Sequence, residues 1–232
     1  MSPAGSTTDD KTVDLEQQAT ISPREQPALP YVPRNFANPA PLGLLSFATS
    51  IFMISLLELE PRGVKVPNII VPNMVFFGGS AQTISGIMEF VAGNTFGATV
   101  FTAYAAFNLA YALIYLPGSG ILTAYTDAET GALLPEFHQA VAMFVWAWWI
   151  ISIIFTVASV RSSWALVGVL VFVDIDLLLL AVGNMLGQEA LLKASSGFGF
   201  AAAALAYWAG AAGLWGNGIT PINLPVGSLK KE

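Results

Sequence analysis

Six apolar stretches, each long enough to cross a bilayer, constrain this chain more than any other feature. A helix rising 1.5 Å per residue needs about 20 residues to span a hydrocarbon core of about 30 Å. The stretches fall at 41–59, 69–91, 96–116, 139–160, 164–186 and 194–215. Each has a stop: Glu58, Glu60 and Pro61 for the first, Gly93-Asn94 for the second, Pro117-Gly118 for the third, Arg161 for the fourth and Gly187 for the fifth. Segments two and three are so close that they must form a hairpin, and so must four and five. Only 10% of the residues are charged, against roughly 25% in a soluble domain, too few to cover a water-facing surface. The expected fold class is an all-α membrane protein with six transmembrane helices over 38–216. It is preceded by a polar tail at 1–37 and followed by a short C-terminal tail at 217–232.

The N-terminal tail carries Pro23, Pro27, Pro30 and Pro33 and no apolar run. Such a composition cannot offset its ordering entropy, and disorder is expected. No apolar stretch follows a basic start, so the first span is expected to act as an uncleaved targeting signal. With six spans, Lys11, Arg24, Arg34, Arg161, Lys230 and Lys231 share one side against Arg62, Lys65 and Lys193 on the other. That asymmetry places both termini in the cytoplasm. The net charge of −6, with no basic cluster, excludes a nucleic-acid partner. The absence of cysteine excludes disulfides, thiolate metal sites and cysteine nucleophiles, and no cofactor is implied.

Segments two and five both end in Gly-Asn (Gly93-Asn94, Gly183-Asn184), and three and six both open with Phe-Gly (Phe96-Gly97, Phe198-Gly199). Two sets of three related spans would make an inverted repeat. The sixth span, rich in alanine with Gly210 and Gly213, is built for close contact between helices, and an oligomer is expected.

Polar residues inside spans are functional candidates, because inserting a charge near a helix centre costs about 2.5–3.5 kcal/mol. Gln82 and Glu89 are seven residues apart and share a face. Glu89 lies near its helix end, where the carboxylate could simply reach interfacial water. Asp174 and Asp176 sit near the middle of span five. Two residues apart is about 200° around a helix, so they cannot face one pore together: one is free to line a polar path while the other bonds a neighbour. No basic residue lies at their depth. An intramembrane aspartyl protease would need two carboxyls facing each other and sharing a proton, which a same-helix pair cannot provide, so no enzyme is expected. His138, beside Glu136, could titrate near neutrality or simply sit at the interface. Trp146, Trp148 and Trp149 are deep enough to pack between helices.

Residues 38–44 read NPAPLGL. A residue before proline is pushed away from the α region, so Ala40 is expected to be extended and the helix to begin at Pro41. Pro39 and Asn38 would then form a stiff arm. It would either merely start the helix or fold against the bundle, placing the Asn38 amide and the free N–H groups of the first turn at a pathway mouth.

NPAPLGL followed by Phe47, then FFGGSAQTISGIMEFVAGNTFG at 76–97 and FTAY at 101–104, resembles the acetate uptake transporter family. The likeness covers about residues 35–216, and the long tail resembles the fungal branch. The resemblance implies a plasma-membrane protein, a six-helix protomer assembled as a hexamer, and a pathway for acetate and other short monocarboxylates in each protomer. It implies an apolar pinch at Phe47, Tyr104 and Val173, with Asn38, Pro39, Pro41, Gln82 and Glu89 along the route. Glu89, Asp174 and Asp176 are the candidates for proton coupling. Asp174 and Asp176 depart from the bacterial permease pattern. Two alternatives stand beside transport of acetate: a sensor or assembly protein of the same fold, and an ammonium exporter.

Overall fold

Five long helices dominate the computed structural model, which describes residues 36–216 and 218–229. The expected disorder of 1–37 falls on residues that, apart from 36 and 37, lie outside the described ones, as do Lys11, Arg24, Arg34, Lys230 and Lys231. From Ala37 onward the chain forms one contact unit. Its elements are α1 (Ala40–Glu58), two short 3₁₀ turns (Pro61–Gly63, Pro67–Ile69), α2 (Ile70–Pro72), a π-helix (Asn73–Ala81), α3 (Gln82–Val91), α4 (Thr95–Tyr115), α5 (Ile121–Ala124), α6 (Pro135–Ser159), α7 (Trp164–Leu186) and α8 (Glu189–Trp215). Among the described residues there is no strand, only two isolated bridges.

Helices α1, α4, α6, α7 and α8 are long and apolar enough to cross a membrane. The expected span at 69–91 is helical but divided into pieces of 3, 9 and 10 residues. Pro72 removes one backbone donor at the start of the run. The nine-residue π segment then widens the helix, with Ser80 Oγ donating to Val75 O, five residues back, at 2.7 Å. π-Helices are rare and mostly single-turn. The reason for this one lies in its neighbours: a Cβ at Gly78 would collide with Ser50 Oγ and stand 2.9 Å from the Asn108 side chain. Only a bare backbone lets the run approach α1 and α4 so closely.

Helix α8 packs most extensively on α1 and α7, α6 lies on α7, and α3 pairs with α4. Ala202, Ala203, Ala206 and Ala209 of α8 are buried. A Cβ at Gly210 would be 3.0 Å from Leu45, and one at Gly213 would be 3.0 Å from Pro41. The alanine-glycine face expected to mediate contact between subunits is thus largely spent inside the protomer. Helix α6 is the least buried of the five long helices, with Met143, Ile150, Ile154 and Val157 exposed.

The segment after α8 returns to the start of α7. Trp164 N–H donates to Gly227 O at 2.9 Å and Ala165 N–H to Val226 O at 3.2 Å, while Ser163 Oγ accepts Leu166 N–H at 3.2 Å. Leu229 N–H donates to Ser162 O, and Trp208 Nε1–H to Pro225 O. Three N–H groups that a helix start leaves unpaired are satisfied in this way.

Candidate functional site

The NPAPLGL turn differs from expectation. Helix α1 begins at Ala40, not Pro41, and Pro39 is itself in the α region (φ −82°, ψ −18°). Asn38 Oδ1 accepts the Ala40 N–H at 3.1 Å; this local side-chain turn holds Ala40 in the helix against the usual effect of a following proline. The arm is therefore a tight turn rather than an extended strut. Asn38 is exposed and Pro41 is buried. Ser85 Oγ donates to Pro39 O at 2.7 Å, tying the turn to α3. With the Ala40 N–H taken by Asn38 and none on Pro41, the turn offers an anion little of what a bare helix start would.

Six residues beyond Pro41, Phe47 meets Tyr104 of α4 with ring centroids 5.2 Å apart, and Phe155 of α6 packs edge-on to Tyr104 at 5.7 Å. Phe47, Tyr104 and Val173 are all buried and all line one cavity of about 50 Å³. Ser50, Asn108, Trp148 and Asp176 line it too. A water needs roughly 10–15 Å³ on this measure, so the cavity has room for about four waters.

The two aspartates part ways as their 200° separation requires. Asp174 turns to α6, where Ser152 Oγ donates to its Oδ1 and Thr156 Oγ1 to its Oδ2, each at 2.6 Å. Ser152 spends its proton on Asp174, so the 2.8 Å bond between Tyr104 and Ser152 runs from the tyrosine hydroxyl. Thr156 Oγ1 also lies 3.1 Å from Ser152 O. The cluster therefore satisfies either state of Asp174: ionised, it accepts from Thr156; protonated, it donates to Thr156, which then donates to Ser152 O. Asp176 instead faces the cavity and α8, accepting from Ser195 Oγ at 2.6 Å.

Gln82 is fully buried in α3, with Oε1 3.5 Å from Asn108 Nδ2 and Nε2 without a partner. Asn108 also donates to Tyr104 O at 2.9 Å, and its Oδ1 is unpartnered. Glu89 does not reach interfacial water: it is 3% exposed, its Oε2 accepts from Asn94 Nδ2 at 2.7 Å and its Oε1 has no partner. Asn94 Oδ1 in turn caps α4 through Gly97 N–H, and a Cβ at Gly97 would stand 3.1 Å from the Glu89 carboxyl. His138 is exposed, with Nδ1 3.2 Å from Asn184 Oδ1.

Several residues at this site escaped the sequence reading. Asn108, a mid-span amide, carried the same signal as Gln82. Ser152 and Thr156 gave none, because hydroxyls are common in spans. Glu58, read only as a helix stop, accepts from Ser196 Oγ at 3.1 Å and lines a second cavity of about 150 Å³ with Tyr111 and Tyr115. Among the described residues, no group of His, Asp or Glu is arranged to hold a metal ion.

Comparison with known proteins sets this geometry in context. A family described as the GPR1/FUN34/yaaH family matches residues 18–231. Acetate permease A of Emericella nidulans is 35% identical over 78% of this chain and 62% of its own length. Ammonia transport outward protein 2 of Saccharomyces cerevisiae is 31% identical over 84% of this chain and 66% of its own. The chain thus spans slightly under two thirds of the length of these curated relatives. The solved structure of the bacterial acetate channel SatP aligns with a TM-score of 0.71 and 27% identity, covering 83% of this chain and all of that one. With its apolar helices and these relatives, the chain is a multi-pass membrane protein, and it belongs to the GPR1/FUN34/yaaH family.

Proposed function

We propose that the protein is a transporter or channel for acetate and similar short monocarboxylates, rather than an enzyme, and that protons accompany the substrate. The observation that carries this reading is the convergence of Phe47, Tyr104 and Val173 on a small, mostly apolar cavity with room for about four waters, and so only for a small guest such as a short carboxylate. An apolar pinch of this kind excludes water and larger ions, while Ser50, Asn108 and Asp176 supply polar contacts beside it. The names of the relatives and the fold of the acetate channel support the same substrate class.

In this reading the run 70–91 is the second crossing, joining the five long helices, with Gly78 allowing close approach to α1 and α4. Both termini lie in the cytoplasm of a plasma-membrane protein. The exposed apolar face of α6 packs against further copies in a homo-oligomer, a hexamer. The two sets of three helices form an inverted repeat of topology rather than of detail: Asn94 caps α4, whereas Asn184 donates to Leu180 O. Asn38, Pro39 and Pro41 shape the cytoplasmic mouth, with Gln82 and Glu89 behind it.

Labelled acetate exchange into liposomes containing only this protein tests the reading. Exchange above protein-free vesicles, competed by propionate, supports it; a folded protein that moves no acetate would instead act as a sensor or assembly protein. The ammonia-transport relative gives a specific second reading. Flux inhibited by ammonium but indifferent to propionate would favour ammonium export.

A further inference from the structure

Outward of the pinch, two carboxyl groups from different helices converge on adjacent serines. Asp176 of α7 accepts from Ser195 Oγ and Glu58 of α1 from Ser196 Oγ, both serines on α8 and both fully buried. Because the two serines are consecutive, both acids bond the same turn of α8. Gly199, one turn along α8, makes the room: a Cβ there would collide with Ser55 Oγ and lie 3.5 Å from Asp176 Oδ2. Asp176 lines the central cavity, Glu58 lines the 150 Å³ cavity at the outer mouth, and Ile54 borders both.

Among the described residues neither acid forms an ion pair; the ion pair there is Lys193 with Glu189 on α8. The charged or titratable groups facing the acids are Tyr111 and Tyr115 from α4, and Glu60 and Lys65 in the lining of the mouth cavity. Asp174 points to α6 instead. At the outer end of α6, His138 is held by Asn184. Two carboxylates so placed repel, and one proton between them relieves the repulsion. Serine geometry accommodates it. Ser196 Oγ also lies 3.3 Å from Leu192 O, so a protonated Glu58 can donate to Ser196 while Ser196 donates to that carbonyl. A second, independent feature points to a proton-bearing guest: Asn108 is 3% exposed in the same central cavity, and its Oδ1 has no donor. A carboxylic acid O–H supplies one, and a carboxylate cannot.

We propose that Glu58 and Asp176 hold one proton between the mouth and the central cavity and give it to the carboxylate arriving there. Glu58 takes the proton from mouth water, and the pair passes it to a substrate oxygen facing Asp176. That oxygen becomes an O–H, and the pair returns to two carboxylates. The neutral acid then crosses the Phe47–Tyr104–Val173 pinch. This rests on the transport reading above and deepens it.

The test uses the full chain in liposomes under clamped voltage, recording labelled acetate exchange and current together, with protein-free vesicles subtracted. Wild-type protein moves much less than one charge per acetate. Glu58→Gln and Asp176→Asn mimic the protonated pair permanently, so the anion passes without taking a proton. The exchange that remains carries a charge per acetate that rises toward one. An unchanged ratio in either variant overturns the proposal, as does complete loss of exchange in Glu58→Gln protein that still elutes as folded. Ser196→Ala, which keeps both acids, should move the pH midpoint of the charge-to-acetate ratio; an unmoved midpoint also overturns it. If wild-type protein exchanges no acetate at all, the transport reading itself fails, and that result is distinct from the others.

Discussion

Replacing Asp174 tests the hydroxyl cluster most sharply, because alanine and asparagine should separate. Asp174 joins α7 to α6 through two interhelical bonds of 2.6 Å. Side-chain bonds between membrane helices average about 0.6 kcal/mol and reach about 1.7, so Asp174→Ala should cost about 1–3 kcal/mol. For a chain of this size, each kcal/mol shifts Tm by about 2–4 °C, giving a loss of about 2–12 °C. Asp174→Asn should fare better. Its amide oxygen keeps the Ser152 bond, and its NH₂ donates to Thr156, which already has Ser152 O at 3.1 Å to receive its proton. The asparagine variant should lie within about 1 kcal/mol of wild type, the worth of one exchanged hydrogen bond. Trp149 Nε1 donates to Asp174 O at 3.0 Å, so indole fluorescence during thermal unfolding in detergent reports on this contact directly. Equal losses for alanine and asparagine would refute the rearrangement and mean that the cluster requires the negative charge.

Further expectations follow from other contacts. Gly78→Ala drives a methyl into Ser50 Oγ and Asn108 and should cost about 1–3 kcal/mol, as overpacking does; adding Ser50→Ala should recover part of the lost Tm. Phe47→Ala opens the pinch beside Tyr104, so labelled succinate flux should rise relative to acetate in liposomes, and an unchanged ratio would place selectivity elsewhere. In the 126–133 loop, the N–H and hydroxyl of Thr130, then the Glu129 N–H, hold the Asp127 carboxyl below its usual 3.8. Its contribution to loop order is therefore present above that value and lost as pH falls through the lower folded one. In Thr130→Ala an NMR titration of Asp127 should move back up toward 3.8.

How much of this was legible in the sequence depended on whether a residue acts through its neighbours in the chain or through distant ones. Five membrane-length helices followed from apolar run lengths, and the angular divergence of Asp174 and Asp176 from helical pitch alone. The division of 69–91 was not legible, because a π segment forms where Gly78 must meet Ser50 and Asn108, residues remote in sequence. Ala40 misled because the pre-proline rule is local and so is the Asn38 turn that overrides it, and only geometry decides between them. In sequence Glu58 reads as a boundary marker because helix-ending acids usually face water, whereas α8 places Ser196 against it.

The segment that returns to α7 carries a consequence for synthesis. Trp164 and Ala165 emerge from the ribosome some sixty residues before Val226 and Gly227, whose carbonyls receive their N–H groups. Until then these amides need water or lipid headgroups as stand-ins. The start of α7 therefore cannot be finished while the chain is being threaded into the bilayer; it is locked only after translation has passed α8. Chains stalled or cut before Pro225 would carry the full set of long helices yet keep one of them frayed at its entrance, giving quality-control proteases a handle absent from the finished molecule.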